Sequence, residues 1–132
     1  LMVRDKEQVR RNIETAKEQV LDARSRGRFE GSEAEPREGL RSGHIPSSLN
    51  LPFNELLNDN GTLVSADRLT TLFDEAGIDR SKPVITSCGS GITACVLAFG
   101  LHMIGHRQVA VYDGSWTEWG LDKDMPLSSG AV

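Results

Sequence analysis

A chain of 132 residues and 14.4 kDa fits a single domain, residues 1–132. Its 38% hydrophobic and 26% charged residues allow a buried core and argue against disorder. The formal charge of −4 argues against a nucleic-acid-binding surface, and no apolar run reaches the ~18 residues of a membrane helix. Two cysteines are too few for a secreted disulfide framework and suit a reducing compartment, and no signal-peptide pattern opens the chain.

Taken in chain order, the apolar start Leu1-Met2-Val3 precedes a charged stretch from Asp5 to Glu18, with Val9, Ile13 and Ala16 near one helical face. Val20-Leu21-Asp22-Ala23 reads as a strand. Residues 24–43 hold four Gly, one Pro, five Arg and four Glu without periodicity, which predicts a long loop, functional or disordered. A short extended piece, Ser48–Leu51, follows Gly43-His44-Ile45-Pro46. One helical turn is expected over Asn54–Leu57, and Asp59-Asn60-Gly61 marks a turn. Ser65 is placed to cap a helix through Ala76, with Leu69, Leu72 and Phe73 inward and Gly77 as its stop. Pro83–Ser87 predicts a strand. Ile92–Ile104 is apolar almost all round and predicts a buried helix closed by Gly105, and Val109–Tyr112 predicts the last strand. This alternation predicts an α/β fold with a mostly parallel central sheet of about five strands and helices on both faces.

The segment richest in chemistry is the strand–loop–helix around Cys88-Gly89-Ser90-Gly91-Ile92-Thr93. Ligands of open parallel sheets bind beyond the carboxyl ends of the strands. A cysteine there meets the positive end of the following helix and its unpaired N–H groups, an environment that favours the thiolate. Read from spacing alone, Cys88 is either a reactive nucleophile or a structural cysteine closing a buried strand. Cys95, two turns into the apolar helix, reads as a small core residue. His102 and His106 have the spacing of helical metal ligands but lack a third ligand nearby in sequence, so no metal site is expected. His44 is expected to position a turn, and Asp22 and Arg24 to form structural hydrogen bonds at a strand end. Trp116 and Trp119 are expected to pack the final loop, with a pocket-wall role left open, and Glu118 to serve as a structural hydrogen-bond partner.

Four segments carry a resemblance that covers most of residues 20–120: Val20–Arg24, Gly43–Pro46, Cys88–Thr93 and Tyr112–Trp119. Together they resemble the rhodanese superfamily of sulfurtransferases, and in particular the C-terminal catalytic domain of the 3-mercaptopyruvate branch. Ser47 departs from the glycine that often follows Ile-Pro in that family.

The resemblance implies a rhodanese fold and a cysteine persulfide formed on Cys88, with no cofactor. Ser90 would assist catalysis, and Gly89, Gly91, Ile92 and Thr93 would bind substrate through the loop. Arg28 and Arg37 match positions that bind substrate in this branch, and guanidinium forks suit a carboxylate and a neighbouring ketone oxygen. Neutral Gly89 and Ser90 after the cysteine fit 3-mercaptopyruvate better than thiosulfate, whose users carry cations there. Ala94, six residues after Cys88, stands where a phosphatase of the same fold needs arginine. The implied acceptors are thioredoxin, small thiols or cyanide, and the implied location is the cytoplasm or the mitochondrial matrix. The alternatives are a thiosulfate sulfurtransferase and a non-catalytic rhodanese module used for protein contact. The resemblance also implies a missing N-terminal rhodanese domain that would add an aspartate and a histidine, for which these 132 residues hold no matching candidate.

Overall fold

Alternating apolar residues along three central strands divide the interior into two layers. The structure, a computed structural model, describes residues 2–90 and 92–131. Five strands, β1 (Met2–Arg4), β2 (Gln19–Asp22), β3 (Leu49–Asn50), β4 (Val84–Ser87) and β5 (Val109–Tyr112), form one parallel sheet in the order β1-β5-β4-β2-β3. Leu21, Val84 and Val111 face a core closed by α3 (Ala66–Glu75) and α4 (Ala94–Met103). Val20, Ile85 and Tyr112 face the other layer, closed by α1 (Lys6–Thr15) and α5 (Ser115–Trp119). The expected α/β sheet with helices on both faces is the architecture observed. Among the described residues, no helix is long and apolar enough to cross a membrane.

Several local expectations need correction. The first helix ends at Thr15, because Ala16 turns left-handed (φ 52°) and Asn12 exchanges side-chain hydrogen bonds with the backbone of Glu18. Its start is secured by Asp5 and Gln8, each side chain accepting from the other's backbone N–H. The expected long loop contains a short helix, α2 (Arg26–Glu30), capped by Ser25 and buried through Phe29. The Phe29 ring stacks on His44, 3.8 Å between centroids, and the Phe29 carbonyl lies 2.7 Å from His44 Nδ1, so this histidine braces α2. The helical turn expected over Asn54–Leu57 begins one residue earlier, as a 3-10 turn at Phe53–Leu56.

The helix expected over Ile92–Ile104 is regular from Ala94 to Met103 and is not buried all round. Leu97, Ala98 and Leu101 enter the core, whereas Cys95, Phe99 and Met103 are exposed, as is Ile92 ahead of the helix. Cys95 is therefore a surface thiol rather than a core filler. A sequence apolar on every side gives no direction to its buried face; the sheet supplies it.

Two sites predict stabilising substitutions. Ile45-Pro46-Ser47-Ser48 forms a tight turn in which Ser48 N–H donates to the Ile45 carbonyl (3.1 Å) and Ser47 sits at φ 67°. Proline second and a left-handed third residue define a type II turn, whose third position favours glycine. Ser47→Gly should raise stability by about 0.5–1 kcal/mol, read from the urea midpoint at unchanged m value. Thr86, fully buried on β4, has a hydroxyl without a hydrogen-bond partner. Thr86→Val removes that orphaned group and should stabilise by about 1 kcal/mol in the same assay; a loss would mean that the hydroxyl is solvated or bonded in solution.

Candidate active site

The carboxyl end of β4 delivers Cys88 to the loop that precedes α4. Cys88 is completely buried, with Gly89 half-buried and Ser90 exposed above it. The loop is held from below by α5: Trp116 N–H donates to the Cys88 carbonyl and Thr117 N–H to the Gly89 carbonyl, both at 2.8 Å, and the Thr117 hydroxyl also donates to Gly89. Ser115 completes the seat. Its Oγ accepts from Cys88 N–H (3.0 Å), donates to the Tyr112 carbonyl (2.8 Å) and lies 4.0 Å from Cys88 Sγ. This buried serine adopts φ 51°, a left-handed conformation that side chains other than glycine rarely take.

Sequence reasoning missed both α5 and Ser115. The Tyr112–Trp119 segment marked the region through the resemblance but not these contacts, which span 27 residues of sequence. Trp116 and Trp119 pack as expected: their Nε1 groups donate to the Arg41 and Pro126 carbonyls, 2.8 Å each. Trp116 does not wall the cleft; it lies beneath Arg24, whose Cζ is 4.5 Å from its ring centroid. Glu118 accepts from the Tyr112 hydroxyl at 2.7 Å, and burial followed by that hydrogen bond pushes the Tyr112 phenol well above its ordinary pKa.

Above the loop is a cleft of about 460 Å³ whose lining includes Arg24, Arg28, Arg37, Phe53, Gly89, Ser90, Thr93 and Thr117. The structure thus brings together Arg28, Arg37, Gly89, Ser90 and Thr93 from the expected site. Cys88 lies under this floor rather than in it. Ile92 is 76% exposed and outside the lining, and Gly91 falls outside the described residues. A larger cavity, 530 Å³, is bordered by α2, β3 and α3 and touches none of the described residues of the cysteine loop.

The arginines of the cleft are not equivalent. Arg24 is buried against Asp22, with Nη2–Oδ2 at 2.8 Å, and also donates to the Gly43 carbonyl and to Glu35. Arg28 is bound in bidentate fashion by Glu35, Nη2–Oε1 at 2.8 Å and Nε–Oε2 at 3.1 Å. This hydrogen bond raises the Arg28 pKa further above its ordinary value, against the opposing effect of burial. Arg37 is exposed and makes no ion pair or side-chain hydrogen bond among the described residues. Arg28 therefore reaches the cleft with half of its fork already engaged, which sequence reading did not anticipate.

A parallel sheet that carries a cysteine loop at the end of its central strand, beneath a cleft of arginines, defines an α/β domain suited to holding an anion beside a buried sulfur. The comparisons sharpen this class: the Rhodanese-like domain profile matches residues 5–122, and the chain belongs to that family. It is 48% identical over 93% of its length to thiosulfate/3-mercaptopyruvate sulfurtransferase 1, mitochondrial, of Arabidopsis thaliana, and 45% identical over 86% to human 3-mercaptopyruvate sulfurtransferase. It spans only 32% and 38% of those two proteins. Among solved structures, Tum1 from Saccharomyces cerevisiae superposes with a TM-score of 0.87 at 35% identity, over 98% of this chain and 46% of that one. The 3-mercaptopyruvate sulfotransferase SseA from Escherichia coli gives 0.74 at 39% identity, over 87% and 42%.

Proposed function

We propose that this domain transfers sulfane sulfur from 3-mercaptopyruvate, by way of a persulfide on Cys88, to a thiol acceptor. The observation that carries this reading is the cleft itself: two substrate-facing guanidiniums, Arg28 and Arg37, stand over the neutral floor of Gly89 and Ser90 that covers the cysteine. The relatives named above support the donor class.

In the first step the Cys88 thiolate attacks the donor sulfur and the carbon–sulfur bond breaks. The electron pair remains on carbon as an enolate, which takes a proton to leave as pyruvate, and the sulfur stays on Cys88 as a persulfide. Arg28 and Arg37 hold the carboxylate and ketone oxygens, Ser90 polarises the reacting group, and loop amides around the sulfur stabilise its charge. In the second step an acceptor thiolate, from thioredoxin or a small thiol, attacks the outer sulfur and regenerates the Cys88 thiolate. These two half-reactions give ping-pong kinetics, and no cofactor takes part.

The chain spans about a third of these curated relatives, so the same reading assigns it to the C-terminal half of a tandem protein. The exposed apolar residues Ile92, Phe99 and Met103 give an N-terminal half a surface to bury. That half would contribute an acid and a histidine for the proton step, in the cytoplasm or the mitochondrial matrix. In the full-length protein, 3-mercaptopyruvate should add about 32 Da to the Cys88 peptide and release one pyruvate per adduct. An unmodified Cys88 in the folded full-length protein would overturn the reading.

A further inference from the structure

We infer that Glu35 is the residue that positions Arg28 and sets the charge of the cleft, so that the site selects a singly charged sulfur donor over a doubly charged one. This rests on the sulfur-transfer reading above and adds to it a determinant of donor choice. The Glu35 side chain is 1% exposed, and both of its oxygens are used: Oε1 accepts from Arg28 Nη2, while Oε2 accepts from Arg28 Nε and from Arg24 Nη1 at 3.2 Å. The result is a pinned guanidinium. A Cβ built on Gly89 would lie 2.9 Å from Arg28 Nη2, so the edge of the fork is laid against the loop that covers the cysteine. Arg28 Nη1 has no protein partner among the described residues and stays available to a ligand.

The charge count follows from the same contacts. Asp22 and Glu35 neutralise two of the three guanidiniums that line the cleft, which leaves one uncompensated positive charge, carried to the surface by Arg37. Glu33 also faces Arg28, but it is exposed, hydrogen-bonded to Ser25 and screened by water. With the Cys88 thiolate of the reaction counted as well, the site holds no excess positive charge, so the free Arg28 Nη1 edge and Arg37 can take up one carboxylate but leave a second negative charge unmatched. A dianion such as thiosulfate would bring an excess charge into a site whose carboxylates lie directly behind the arginines.

The test measures single-turnover persulfide formation on Cys88 with 3-mercaptopyruvate and with thiosulfate, in the full-length wild-type protein and its Glu35→Gln and Glu35→Asp variants. Glu35→Gln raises the cleft charge by one and loosens Arg28. The rate with 3-mercaptopyruvate should fall, and the ratio of the two second-order rate constants should shift toward thiosulfate by about tenfold, less at high salt. Glu35→Asp keeps the charge but shortens the reach, so both rates should fall with the ratio unchanged. An unaltered ratio in folded Glu35→Gln, or an altered one in Glu35→Asp, overturns the inference. Should Glu35→Gln fail to fold, Glu35→Asp still decides it. Wild-type protein that forms a persulfide with neither donor refutes the sulfur-transfer reading instead, so the two failures are distinguishable.

Discussion

Replacing Arg24 by alanine should destabilise the domain by about 3–5 kcal/mol and lower its Tm by more than about 10 °C. The side chain is 1% exposed and satisfies four acceptors at once: both carboxylate oxygens of Asp22, the Gly43 carbonyl and Glu35. Its removal strands Asp22, whose side chain is 4% exposed, without a cation, and also strips the stacked charge from the face of Trp116. The cost lies in the anion left behind, because a buried carboxylate without a partner must be hydrated or protonated. Arg24→Lys keeps the charge but not the planar fork, and should fall between wild type and alanine. Thermal denaturation followed by circular dichroism measures both; a loss below about 1 kcal/mol for the alanine variant would show that Asp22 finds other partners or water.

The second large effect is chemical. Cys88→Ser should reduce sulfur transfer from 3-mercaptopyruvate at least about a thousandfold while preserving the fold, because an alcohol cannot carry sulfane sulfur through a persulfide. The substitution is close in size, and the seat formed by Ser115, Trp116 and Thr117 is made to backbone groups of residues 88 and 89, which it leaves intact. Cys95 does not substitute: it lies on the outer face of α4 and lines a different surface from the cleft. Cys95→Ser should therefore retain full transfer. Persulfide appearing at Cys95 in the Cys88 variant, at a rate near that of wild type, would move the reaction to the wrong sulfur.

The strands and the cysteine loop were legible because their signals are local. β5 is an unbroken apolar run and β4 opens on Val84-Ile85, as strands buried on both faces favour, and Gly89 and Gly91 mark the turn that follows β4. The short helices were not. In α2 only Phe29 is buried, and its five residues are surrounded by glycine and charge, so no period emerges; the stack on His44, 15 residues away, stabilises it. α5 hid inside a segment read as a packed loop. Arg28 was marked as a candidate by the resemblance, and it does line the cleft, but its carboxylate partner was not legible. Glu35 is one of four glutamates in a stretch without periodicity, and only the folded chain shows which of them turns inward.

The tie between α5 and the cysteine loop builds the proposed centre from two pieces of chain that are remote in sequence. The amides of residues 116 and 117 serve as the far wall of a loop encoded 28 residues earlier, and the serine that opens α5 is bent into an unfavourable backbone region to reach it. Strain of this kind persists only where the surroundings enforce it. The last turn of the fold is therefore part of the sulfur's housing rather than a trailing end. Shortening the chain from its carboxyl side past residue 115 would unfasten the cysteine and, by removing Trp116 and Trp119, open one face of the core in the same stroke. The seat of the cysteine and one layer of the core thus rest on the same five residues of helix and would be lost together.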